Sequence, residues 1–164
     1  MASIPQKPDN LVAPSDDGYD PAEEPFFSTS LLFNHIAYFT FRRPPKNDTE
    51  FELYKKALEA YYDNHPRFLY FFDIRDLEGV NEYFIWKKAE LMDFLKPRTQ
   101  KAIVCTAVVL NSEPVRMLLN GFFTLYDFEA PHQIFTTDAD ATEWLTQWLV
   151  TEFGAEETMR CLGV

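Results

Sequence analysis

Glycine is scarce in this 164-residue chain: five residues, at positions 18, 79, 121, 154 and 163, none near another. Phosphate-cradling loops need clustered glycines so that backbone can approach the ligand closely, so neither a P-loop nor a GxGxxG turn can be written. Cysteine is scarcer still. Cys105 and Cys161 are too few for a disulfide framework and read as reduced thiols. Cys105 sits inside an apolar run, where an inert buried thiol is expected, and Cys161 lies in an acidic stretch that disfavours a thiolate. The histidines, His35, His65 and His132, have no cysteine or carboxylate at ligand spacing, so no metal site is nominated. A GxSxG motif is missing as well. No run of 18 apolar residues offers a membrane span, and MASIPQKPDN has neither a signal-peptide core nor a transit-peptide character. Basic residues are outnumbered, 15 Lys and Arg against 26 Asp and Glu, which argues against a nucleic-acid backbone as partner. The chain therefore reads as soluble, cytoplasmic and non-enzymatic, with no cofactor and no catalytic residue nominated.

What is abundant is aromatic: 16 Phe, 8 Tyr and 3 Trp within a chain that is 46% hydrophobic. The net charge of −11 is unevenly spread. Residues 117–164 hold Arg160 as their one basic residue, and the opening segment 1–27 has Lys7 against six acids. That segment also carries Pro5, Pro8, Pro14, Pro21 and Pro25. Prolines remove backbone donors and acids favour solvation, so 1–27 is read as a flexible acidic arm. The sharper alternative is an arm that orders along a partner, anchored by Tyr19, Phe26 and Phe27. Residues 28–153 are read as one domain and 154–164 as a short acidic tail.

Within the domain, Ser28–Arg43 gives two short strands or one bent strand, ending at Pro44-Pro45. Thr49 and Glu52 have capping-box spacing ahead of a helical stripe of Phe51, Tyr54, Leu58 and Tyr61. FLYFFDI (68–74) and AIVCTAVVL (102–110) are continuous apolar runs, as expected of strands covered on both faces. A second helix is placed from Glu82 to Lys96, stopped by Pro97. Ser112 and Pro114 open a third, which runs to about residue 127. HQIF is a short strand, and Asp138 or Asp140 caps a last helix carrying Ala141, Trp144, Leu145, Trp148 and Leu149. The order ββαβαβαβα predicts a single compact α/β domain with a mixed, mostly parallel sheet of about five strands and about four helices.

The strand AIV, the segment from Val115-Arg116 to Phe122-Phe123, the strand QIF, and Asp138, Ala141, Trp144 and Leu145 of DADATEWL resemble the SpoIIAA-like branch of the STAS superfamily. FFDIRDLEG resembles the strand and loop before the second helix of that fold. The resemblance covers roughly residues 30–150. It implies a non-enzymatic module that binds proteins, small ligands or lipid-like molecules. Relatives switch by phosphorylating a Ser at the start of the second helix. Between Asp73 and Lys96 this chain has neither Ser nor Thr, so that switch is not carried over.

Two helices hold more apolar residues than one buried stripe requires. Tyr83-Phe84-Ile85-Trp86 wraps most of a helix circumference at 100° per residue. Two surfaces are therefore nominated. The first is an interaction surface of Arg75, Asp76, Glu78, Asn81, Tyr83, Phe84 and Trp86. The second is a pocket or further interface of Met117, Phe122, Phe123 and Tyr126. The favoured expectation is an interaction module that scaffolds or regulates a protein complex, with self-association compatible. A carrier or sensor of a small apolar, lipid-like ligand is the alternative. A nucleotide at the strand ends would meet Asp73, Arg75, Asp76, Asn111 and Ser112; an enzyme of undetected type, to be tested at Asp73 and Asp76, ranks last.

Overall fold

The computed structural model describes residues 23–125 and 130–163, with Asp9 and Leu11; Tyr19 and most of the Pro-rich arm lie outside the described residues. Strands and helices follow as β1 (Phe27–Leu32), β2 (Ile36–Phe41), α1 (Asp48–Asn64), β3 (Phe68–Asp73) and α2 (Glu82–Ala102). Then come β4 (Ile103–Val109), α3 (Glu113–Leu125), β5 (His132–Phe135), α4 (Asp138–Phe153) and α5 (Ala155–Leu162). All five strands form one sheet in chain order. β1 pairs antiparallel with β2, and β2 through β5 pair in parallel.

Parallel strands taken in sequential order need crossovers of one hand, which lays the connecting helices on one face. α1 and α2 accordingly pack over Ala37, Phe39, Phe41, Phe68 and Tyr70. α4 returns under the opposite face, where Ala141, Leu145 and Leu149 meet Ile36, Leu69, Phe71, Cys105 and Ala107. This is a single α/β domain with a mixed five-stranded sheet and five helices.

The described residues hold five helices where about four were expected, the fifth lying within the short acidic segment 154–164. Gly154, at φ +90°, breaks the chain out of α4 without a Cβ penalty, and Thr158 is buried as α5 begins its own turns. The first two strands are a hairpin, with Phe33 and Asn34 at positive φ and His35 N–H donating to the Leu32 carbonyl at 3.1 Å. A left-handed Phe is strained, and Phe33 offsets this by packing against the α4-side core.

Two caps and one helix end also differ from expectation. Asn47, not Thr49, caps α1, its side chain accepting from Glu50 N–H at 2.9 Å. Thr137, ahead of Asp138 and Asp140, caps α4. α2 does not stop at Pro97 but runs on to Ala102. Proline removes one helical hydrogen bond there, yet α1 holds the turns beyond it. The Tyr62 hydroxyl meets Thr99 Oγ1 at 2.8 Å, Arg98 lies over the Tyr62 ring and pairs with Asp63, and Ala102 is buried.

Near the start of α1, Glu50 is only 7% exposed. It takes two hydrogen bonds from Arg43, both at 2.8 Å, and one from Lys46 N–H at 2.6 Å. The Arg43 hydrogen bonds hold its carboxyl below the usual range against the opposing effect of burial. A carboxyl whose pKa is lower folded than unfolded stabilises fully above the ordinary carboxylate range and loses that stabilisation as pH falls. Glu50→Gln is therefore expected to lower the unfolding free energy by about 2 kcal/mol at pH 7 in urea titration. The gap from wild type should narrow as pH approaches 3; a gap constant with pH would mean that packing, not charge, is lost.

Candidate functional site

At the carboxyl ends of β2 and β3, the large rings that fill the core leave a cavity of about 190 Å³. Phe41 and the residues after β3, Ile74 and Leu77, form its floor, while α1 contributes Phe51 and Tyr54. α2 contributes Phe84, Ile85 and Lys88, and α3 closes the far side with Val115, Leu118, Leu119 and Phe122. Parallel α/β sheets place ligands at this end because the strands stop and the loops diverge there.

α3 is apolar in sequence yet contributes no buried side chain among its described residues, and Met117 is 73% exposed. It spans the pocket without sealing into the core.

Lys88 is the polar member of the α2 contribution to this lining. In α2 it falls on the stripe Phe84, Lys88, Leu91, Leu95, whose other three members are all buried. Its Nζ lies 4.9 Å from the centroid of Phe72, 5.4 Å from Phe41 and 5.5 Å from Tyr54. It makes no ion pair among the described residues, and the buried Tyr54 hydroxyl lacks a hydrogen-bond partner. Burial lowers the Lys88 pKa to about 8, and the ring faces work in the opposite direction by attracting the ammonium. The second cation on the wall, Arg43, is already occupied by Glu50.

The residues nominated from the sequence are divided among several roles. Tyr83 and Phe84 are 6% and 5% exposed, so a partner chain has no free access to them. Tyr83 donates its hydroxyl to Asp48 at 2.9 Å, joining the starts of α2 and α1, and burial followed by Asp48 pushes its pKa up to about 12. Phe84 and Asn81 line the pocket, where the Asn81 carboxamide oxygen caps α2 through Tyr83 N–H. Trp86 is half-buried beside Tyr83. Asp76 and Glu78 are exposed, and with Arg42, Arg43 and Arg75 they rim a neighbouring polar recess. Its three arginines pair with Glu24, Glu50 and Asp73 respectively.

Burial alone would raise the Asp73 carboxyl, but hydrogen bonds from Arg75, at 2.6 and 2.9 Å, and from Tyr38 carry it below its ordinary value. Arg75 also reaches Asp138, so this cluster ties β3 to the start of α4 and holds no free base. On α3, Phe122 reaches the pocket, Phe123 stacks on His132 with centroids 4.2 Å apart, and Met117 faces outward. Tyr126 lies outside the described residues.

Far from the pocket, the fold brings together His35, Glu157 and Cys161, whose donor atoms lie within 4.8 Å of one another. No sequence spacing announces the set, because the hairpin and α5 are far apart in the chain. His35 Nε2 is 3.2 Å from Glu157, Arg160 pairs with the same carboxylate, and the His35 ring stacks on Phe153. Burial first and Glu157 next push the Cys161 thiol up. The cluster acts as a latch between α5 and the hairpin.

Comparison with protein-family models, curated proteins and solved structures found no significant match. No helix among the described residues is long and apolar enough to cross a membrane.

A lysine whose folded pKa is depressed opposes folding below that pKa, and the penalty fades as pH rises toward the unfolded value. Wild-type stability relative to Lys88→Met should therefore increase between pH 8 and 10.5 in parallel urea titrations. A difference that is flat over this window would show that the ammonium is fully solvated.

Proposed function

We propose that the chain is a non-enzymatic binding module whose occupant is a small, largely apolar molecule held where β2 and β3 end. The observation that carries this reading is the 190 Å³ cavity walled by aromatic and aliphatic side chains from four elements. An engineered cavity of about 150 Å³ with similar walls binds benzene, so this volume suits a body of about eight non-hydrogen atoms. The loose seating of α3 supports the same reading, because an entrance must open without unfolding the core. The SpoIIAA-like, STAS-like resemblance is compatible, since that fold serves modules that bind rather than catalyse.

A second reading, docking of a protein partner, is favoured by the exposure of Met117 on the outer side of α3. It requires a polypeptide that travels with the chain through gentle isolation, which the small-ligand reading does not.

Octan-1-ol, a neutral probe of suitable size, should raise the melting temperature of the wild-type protein by mass action. Leu119→Trp and Val115→Phe place ring atoms in the cavity and should abolish that rise while keeping a cooperative transition. An unchanged wild-type melting temperature, or the same rise in both filled variants, would contradict the proposal.

A further inference from the structure

We infer that the occupant carries a single carboxylate on its apolar body, and that the Lys88 ammonium holds it. This inference rests on the apolar-pocket reading and narrows its ligand class. Three observations carry it.

The first is position. Lys88 lines the pocket from a helix stripe otherwise given over to core residues, so its stem is directed inward and does not lie free on the surface. An ammonium brought into such surroundings loses hydration, and a nearby anion restores what ring faces restore only in part.

The second is the state of the other charges. Arg43 is held by two hydrogen bonds from its guanidinium to Glu50, and the Asp48 carboxylate accepts the Tyr83 hydroxyl. Among the described residues, an incoming anion therefore meets one cation without an ionic partner, on a wall lined by no uncommitted carboxylate.

The third is valence. One amine amid hydrocarbon matches a monoanion. A phosphate carries more charge and needs several converging donors, whereas the Arg43 guanidinium, the other charged donor on this wall, is taken up by Glu50.

Octanoate and octan-1-ol have the same chain length and differ in the head group, so together they isolate the charge. Isothermal titration of each into wild type, Lys88→Met and Lys88→Gln at pH 7 measures what the ammonium contributes. The expected result is a loss of about tenfold or more in octanoate affinity in both variants, with octan-1-ol changed less than about twofold. Equal weakening of both ligands, or unchanged octanoate binding, would overturn the carboxylate assignment while leaving the apolar pocket standing. Failure of both compounds to bind the wild-type protein would instead remove the pocket reading itself.

Discussion

Phe68 and Tyr70 point to one side of the sheet and Leu69 and Phe71 to the other, and all four are buried. A strand apolar on both faces cannot face water on either, so helices must cover it from both sides. The sequential strand order meets that demand unequally. α1 and α2 crowd onto one face, while α4 supplies the other after the chain has passed the far edge of the sheet. The Arg43–Glu50 pair and the Asp73–Arg75–Asp138 cluster then pin the loops where the strands end.

The pocket is a by-product of what fills the crowded face. Phe39, Phe41, Tyr54 and Phe72 meet edge-on or offset at centroid separations of 5.4 to 6.2 Å. Rigid rings of that size fill the centre well, but they leave a gap at the margin where α1 and α2 begin. α3 bridges the gap, and Lys88 brings the one polar head on α2 that reaches it. A core of smaller aliphatic side chains could relax into such a space, since aliphatic chains have more rotamers with which to close it.

Much of this was legible in the sequence. The apolar runs at 68–74 and 102–110 announce buried parallel strands, and strand–helix alternation gives the sheet its class. What failed locally failed for non-local reasons. Pro97 is a sound stop signal that is overridden by Tyr62 and Asp63 of another helix. The four large residues from Tyr83 to Trp86 wrap the helix, so their exposure depends on where Asp48 and the sheet lie. The pocket draws on four separate elements, which no periodicity reveals. Lys88 is different: its place between Phe84, Leu91 and Leu95 at helical spacing is a polar interruption of a core stripe, and the sequence alone contained that signal.

The proposed binding of a small amphipathic molecule places it at one end of one sheet face. Methyl-labelled protein titrated with octanoate and followed by NMR tests it most directly. Saturable shifts are expected for the methyls of Ile74, Leu77, Ile85, Val115 and Leu119, with those of Leu145 and Leu149 on the opposite face unmoved. Shifts centred on the α4 face, or spread evenly over the molecule, would contradict it.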